Sequence, residues 1–141
     1  MAELVRIQRD NFSVEDEMKV VNAASSEIGG IVTFLGTARD ISKGETIVGL
    51  EFEHYEGMAE KMLSSIRQRA LDNFNIIEMG IVHRVGKIGI GENIVLIITA
   101  ARHRNDAFMA CEWAITDLKR TVPIWKRETT DRGEVWVEEH P

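Results

Sequence analysis

Four cationic side chains lie close together around Pro123 in the last third of the chain, namely Lys119, Arg120, Lys126 and Arg127. Guanidinium and ammonium groups bind anions, and a lysine in an apolar environment can act as a base, an acid or a nucleophile. The cluster is therefore either a solvated basic surface or a pocket that holds an anion and uses an amine for chemistry.

Lys119 follows a pattern typical of an amphipathic helix. At 100° per residue the apolar side chains form one stripe, and Lys119 extends its edge four residues after Ile115. Such a lysine can snorkel to water and complement the helix C-terminus, or it can have a lowered pKa and act in catalysis. The periodicity leaves both readings open. Cys111 lies in the middle of the stripe and is interpreted as a small buried hydrophobe.

Lys126 belongs to a predicted strand after Pro123. Alternation places Ile124 and Lys126 on one face and Trp125 and Arg127 on the other, so each face mixes a bulky apolar group with a cation. Taken alone, Lys126 reads as a solvated strand lysine.

Three further cationic sites occur at predicted strand ends. His103-Arg104 precedes a helix, where unpaired backbone N–H groups could join the two side chains in binding an anion; the alternative is a histidine that merely caps the strand end. Nothing marks His83-Arg84 as functional, and a charged strand end is its expected explanation. Arg39 taken alone is a surface arginine at a strand end.

Size and composition limit the class of protein. The chain has 141 residues, 44% of them apolar and 28% charged, which predicts one globular domain spanning residues 1–141. No apolar run is long enough to span a membrane and no signal peptide is visible, so the cytoplasm is the expected location. A single cysteine excludes an internal disulfide.

Charge and motifs narrow the function further. The net charge of −6 disfavours nucleic acid as a partner, yet residues 102–132 carry seven Lys/Arg against five Asp/Glu, which suits a small anionic ligand. Neither a glycine-rich phosphate loop nor a nucleophile elbow is present. The four histidines lack metal-ligand spacing, so we expect no metal and no cofactor.

The order of predicted elements, β-α-β-β-α-β-β-α-β-β, indicates an α+β fold in which helices pack on one face of a largely antiparallel sheet. Ser13 is a predicted N-cap, residues 28–54 a predicted hairpin, residues 58–73 a helix, and Asn105 or Asp106 the cap of the helix that ends near Thr121.

The whole chain resembles the large, catalytic subunit of molybdopterin synthase. The matching segments occur in the family's order across residues 28–139, and they are FLGTARD (34–40), LEFEHYEGMAEK (50–61), HRVG (83–86), HRNDAF (103–108), DLKRTVPIWKRE (117–128) and VWVEE (135–139).

This resemblance implies a sulfur-transfer reaction. A cyclic pyranopterin monophosphate would receive two sulfurs and become molybdopterin, with the sulfur carried as a thiocarboxylate on the C-terminal glycine of a small ubiquitin-like subunit. The family assembly is a heterotetramer, with a central homodimer of large subunits and a small subunit at each end.

The resemblance also implies roles for individual residues. Lys119 and Lys126 would perform general acid–base work and activate the thiocarboxylate carbonyl. The phosphate and pterin would be held by Arg39, His103 and Arg104. Two departures from the family pattern stand out. Ile115 occupies a position where the family can place methionine, and the chain stops at Pro141, whereas relatives often continue with basic residues.

The pocket for the glycine tail would include Phe34 and Ile115. A second hypothesis is a non-catalytic α+β binding module for an anionic metabolite or a partner's tail. It predicts the same basic patch but tolerates Lys119→Arg, because charge alone would then suffice.

Overall fold

The computed structural model describes residues 3–42 and 44–137. Their helices and strands are β1 (Val5–Gln8), α1 (Val14–Asn22), β2 (Gly30–Thr37), β3 (Ile41–Ser42), β4 (Glu45–His54), α2 (Met58–Asn73), β5 (Glu78–Arg84), β6 (Gly86–Ile88), β7 (Asn93–Ala101), α3 (Arg104–Thr121), β8 (Ile124–Thr130) and β9 (Gly133–Val137).

The first sheet has the strand order β1-β5-β7-β2, in which β1 pairs parallel with β5 and the other neighbours are antiparallel. Leu96 and Ile98 of β7 pack with α1 on one face, whereas Val95 and Ile97 pack with α2 and α3 on the other. The central strand is buried on both faces, which explains its nearly uninterrupted apolar sequence.

The second sheet has the order β3-β4-β8-β9, and β6 also pairs with β4. All of its pairings are antiparallel. Strand β8 begins just after α3, since Val122 ends the helix and Pro123 cannot continue it. The end of α3 and the start of β8 are therefore held side by side.

The sequence predictions are confirmed for the α+β class and for most elements. The range predicted for α2 is the observed one, and Ser13 caps α1, since its Oγ accepts a hydrogen bond from the Asp16 N–H at 3.2 Å. The helices, however, cover both faces of the first sheet, because α1 packs opposite α2 and α3. In the described part of the chain no helix is long and apolar enough to cross a membrane.

The predicted hairpin over residues 28–54 is wrong. Strand β2 pairs with β7 and strand β4 pairs with β8, so the two lie in different sheets. The physical reason is that alternation of apolar side chains determines which face of a strand is buried but not which strand becomes its neighbour. The segment VWVEE is described only as far as Val137, the last residue of β9; its remaining residues lie outside the described ranges.

Candidate active site

A cavity of about 360 Å³ opens between the two sheets beside the C-terminal end of α3. Its wall is built from β2, β4, β5, β7, α3 and β8, so segments far apart in sequence contribute to one hollow. Gly36 of β2 belongs to this wall, where a Cβ would lie 2.8 Å from Val95 Cγ1. The ladder between β2 and β7 also shifts register at Gly36, as a glycine at a bulge permits.

Lys119 reaches the cavity from the last turn of α3. The preceding apolar stripe is buried, and Lys119 itself is partly buried at its edge. The pKa of its amine lies below the ordinary lysine value, first because burial disfavours the ammonium form and then because Lys126 and Arg39 are nearby cations. Lys119 is therefore better able to exchange a proton than a lysine in open solvent.

Lys126 lies on the cavity side of β8. Residues Ile124, Lys126 and Glu128 are buried on this face, whereas Trp125 is exposed on the other, so the predicted alternation is confirmed. The residue is only 7% exposed, which overturns the reading as a solvated lysine. Its Nζ is 3.7 Å from Glu128 Oε2, and this carboxylate offsets the cost of burying the ammonium group.

Three more predicted residues line the same cavity. Arg39 lies at the exposed rim just beyond β2, and its charge acts on Lys119. Phe34 and Ile115 are partly buried and supply apolar surface. The cavity therefore combines three cations with an apolar wall, which is an arrangement suited to an anion attached to an apolar or planar group.

Comparison with known proteins agrees with this geometry. A protein-family model described as "MoaE protein" matches residues 7–121. The molybdopterin synthase catalytic subunit of Pyrococcus abyssi is 43% identical over 129 residues, which cover 92% of this chain and 86% of that protein.

The chain belongs to the MoaE family.

Solved structures agree with this assignment. The crystal structure of molybdopterin synthase from Staphylococcus aureus matches with a TM-score of 0.91 at 33% identity, over 99% of this chain and 100% of that one. The complex of subunits 1 and 2 of molybdopterin-converting factor from Helicobacter pylori shares the fold, with a TM-score of 0.80 at 22% identity over 99% and 94% of the two chains. The family resemblance seen in the motifs is thus confirmed, and so is the expected enzyme class.

His103 and Arg104 lie elsewhere in this MoaE chain. His103 is the N-cap residue of α3 and Arg104 begins the helix, so the predicted caps Asn105 and Asp106 are wrong by two or three residues. Both side chains are exposed, and neither lines the cavity. At 1.5 Å per residue the helix separates Arg104 from Lys119 by about 22 Å. Within one chain the structure does not bring these residues to the lysines.

Two residues of the cavity wall were not predicted as functional. Glu128 could have been found from alternation, because it stands two residues after Lys126 on the same strand. His83 was interpreted as a charged strand end, but it is 5% exposed and lines the cavity, which corrects that interpretation. The place of His83 in the cavity wall depends on the packing of the second sheet against the end of β5, which no local sequence pattern predicts.

Cys111 is buried in α3, as expected from its place in the apolar stripe. Burial raises the pKa of its thiol. The thiol is therefore a poor nucleophile at neutral pH. Over residues 3–42 and 44–137 no group of His, Cys, Asp or Glu side chains could hold a metal ion.

Proposed function

We propose that this MoaE chain is the catalytic subunit of a molybdopterin synthase. It would transfer two sulfurs, each supplied as the C-terminal thiocarboxylate of one copy of a small ubiquitin-like subunit, to cyclic pyranopterin monophosphate, which becomes molybdopterin, and each spent tail would end as a carboxylate. The observation that carries the proposal is the convergence of Lys119 and Lys126, from a helix and a strand, on one partly apolar cavity.

The cations match the charges of both reactants. A thiocarboxylate and a phosphate are anions, and Arg39 at the rim offers the planar donor pair that suits a phosphate. His103 and Arg104 are proposed as additional substrate-binding residues, and they would have to reach the cavity from a second copy of the chain because α3 separates them from it.

The two lysines would have different tasks. Lys119, whose pKa is lowered, would exchange the protons of the transfer steps. Lys126, held beside the Glu128 carboxylate, would donate a hydrogen bond to the carbonyl oxygen of the thiocarboxylate as negative charge develops there. Both amines face a cavity with apolar walls, where such interactions are stronger than in water.

Phe34 and Ile115 would form the channel for the glycine tail. Glycine carries no side chain, so apolar walls can enclose the end of the tail and hold its carbonyl beside the lysines, while the acyl carbon stays accessible to the water that replaces the departing sulfur. The assembly proposed from the resemblance is a homodimer of this chain within a heterotetramer, and the reaction would take place in the cytoplasm.

The test is molybdopterin formation from purified protein, thiocarboxylated small subunit and cyclic pyranopterin monophosphate. Lys119→Ala and Lys126→Ala should each lower the rate by about 10²-fold or more, because proton transfer and carbonyl activation are lost. Arg120→Ala, an exposed neighbour on the same helix turn, is the matched control and should retain the wild-type rate.

Lys119→Arg separates catalysis from simple anion binding. Arginine keeps the positive charge but does not release its proton at neutral pH, so a proton-transferring role predicts loss of turnover with binding retained. Wild-type rates in both alanine variants would reject the catalytic assignment, and full activity of Lys119→Arg would favour a role in binding alone.

A further inference from the structure

Strand β2 forms an open edge of the first sheet. It has eight residues, Gly30–Thr37, and in the described part of the chain it pairs on one side only, with β7. The outward backbone N–H and C=O groups of an edge strand favour pairing with another chain, which proteins usually prevent with short edges, charges or proline. The sequence GIVTFLGT contains neither a charged residue nor a proline, and its ladder to β7 is regular as far as Gly36.

The other edge strands in the described ranges are protected against such pairing. Strand β1, at the far edge of the first sheet, has four residues and includes Arg6, whose guanidinium is 2.8 Å from the Glu17 carboxylate. Strands β3 and β6 have two and three residues. Strand β9 carries Glu134, which lies 3.5 Å from Arg127. Strand β2 is therefore the edge best suited to receive a further strand.

Helix α3 presents an exposed apolar residue on the side of this edge. It packs on β2 and β7, and α2 contacts it from one side, where Arg69 Nη2 donates to Asp117 Oδ2 at 2.7 Å. At 100° per residue, Arg104, Phe108 and Ile115 lie within about 40° of one another on the opposite side of α3. Because α2 lies over β1 and β5, that side faces the open edge of β2. Phe108 is 60% exposed there.

Helix α3 and strand β2 run in the same direction. At their starts Arg104 lies over Gly30, since a Cβ added at Gly30 would be 3.8 Å from Arg104 Cα. Towards their ends Lys119 and Gly36 line the cavity. An antiparallel neighbour reverses this direction. A second β2 strand on the open edge would therefore bring the start of its own α3 beside the cavity of the first copy.

Two-fold symmetry limits the register of such a pair. Opposite residues of an antiparallel ladder share one face of the sheet, so a symmetric pair that uses the whole strand is centred on a residue near its middle, Thr33 or Phe34. Gly30 of one copy then lies opposite Gly36 or Ala38 of the other, and both of these positions line the cavity. Either register places the start of one α3 at the other copy's cavity.

We propose that the open edge of β2 is the homodimer interface: it pairs antiparallel with β2 of a second copy, joins the two four-stranded sheets and covers Phe108. This inference rests on the proposed function, which requires His103 and Arg104 to reach the cavity from a second copy, and it names the surface that brings them there. Neighbouring strands are ~4.8 Å apart, whereas α3 separates Arg104 from Lys119 of its own chain by about 22 Å.

A charge near the symmetry axis tests the interface. Thr33 is exposed, so Thr33→Lys should leave the fold of the single chain intact. In the dimer it would place two ammonium groups close together on adjacent strands, where like charges destabilise pairing. Sedimentation equilibrium should show a dimer dissociation constant raised at least about tenfold. Val135→Lys, which changes an exposed residue on the edge strand β9, is the matched control and should dimerise like the wild type.

An unchanged dissociation constant in Thr33→Lys would overturn the proposal, and so would a monomeric wild type or dissociation caused by Val135→Lys. Loss of small-subunit binding from an intact Thr33→Lys dimer would also overturn it, because the edge would then bind the sulfur carrier. If Thr33→Lys does not fold, amide hydrogen exchange of the wild type decides. The outward amides of β2 should exchange as slowly as those that face β7, and fast exchange of every second amide contradicts the pairing.

Failure of this inference is distinguishable from failure of the proposed function, because the dimer is measured without the reaction. If Thr33→Lys remains a dimer while Lys119→Ala abolishes product, only the interface is rejected. If Thr33→Lys is monomeric but the wild type makes no molybdopterin with thiocarboxylated partner, the interface stands and the sulfur-transfer function is rejected.

Discussion

The chain contains the dipeptide His-Arg twice, and the two copies have opposite environments. His83-Arg84 ends β5 with both residues buried, at 5% and 7% exposure, whereas His103-Arg104 begins α3 with both residues exposed. The same two residue types, each pair at the end of a predicted strand, therefore have different possible roles. Burial, which depends on the other elements packed around each pair, makes the difference.

Within the buried pair the two side chains also differ. Successive strand residues point to opposite faces, so His83 faces the cavity while Arg84 turns away from it. Arg84 Nε donates to the Arg9 carbonyl at 3.1 Å, and its terminal nitrogen donates to the Asn93 carbonyl at 2.9 Å and to Glu92 Oε1 at 3.3 Å. Arg84 thus links three segments and has a structural role.

The largest expected effect concerns the exposed pair. If Arg104 binds substrate from a second copy, Arg104→Ala should lower activity at least tenfold, and a dimer that combines one Arg104→Ala chain with one Lys119→Ala chain would contain one intact site. Co-expression of the two inactive variants should restore about a quarter of wild-type activity by that mechanism. Molybdopterin formation by the mixed preparation measures it.

No recovery of activity in the mixture would mean that each site takes Arg104 and Lys119 from the same chain. A wild-type KM and kcat for Arg104→Ala would remove this residue from the substrate-binding set altogether.

The second expected effect is a loss of folding stability, which should be larger for Arg84 than for Arg104. Arg84→Met removes charge-assisted hydrogen bonds to three oxygen acceptors and should lower the free energy of unfolding by ~2–4 kcal/mol. Arg104→Met, at an exposed position, should change it by no more than about 0.5 kcal/mol. Urea unfolding followed by circular dichroism measures both, and equal losses would contradict the contrast in burial.

The smallest expected effect is on the pH dependence of stability. It compares two neighbouring cations of α3, partly buried Lys119 and exposed Arg120. The pKa of Lys119 is lowered in the folded chain, so the unfolded chain binds more protons between the two pKa values, and wild-type stability rises with pH across that window. Lys119→Met should be more stable than wild type at neutral pH, and the difference should shrink as pH rises from the lowered folded-state pKa to the ordinary lysine pKa of about 10.4.

Arg120→Met is the control for this experiment, because its stability relative to wild type should not vary in that pH window. Urea midpoints at several pH values supply the comparison. A Lys119→Met advantage that stays constant up to high pH would indicate better packing by methionine rather than removal of a buried charge.

Much of this protein was predictable because local patterns carry the information. The apolar stripe of α3, the alternation of β8 and the range of α2 follow from periodicity, and each is determined by residues within one or two turns or pleats. The ordered motifs then identified the family, and the two lysines were singled out because they bracket Pro123.

Tertiary structure decided what no local pattern contains. Alternation shows that β2 and β4 each bury one face, but only the folded chain assigns them to different sheets. Periodicity shows that Lys119 lies at the edge of a stripe, but only the packing of β8 beside α3 turns that edge into the wall of a cavity. The sequence by itself determined most of the helices and strands and the family. Contacts between residues far apart in the chain determine the partner of each strand and bury His83, Lys126 and Glu128. Local propensity does not encode such contacts.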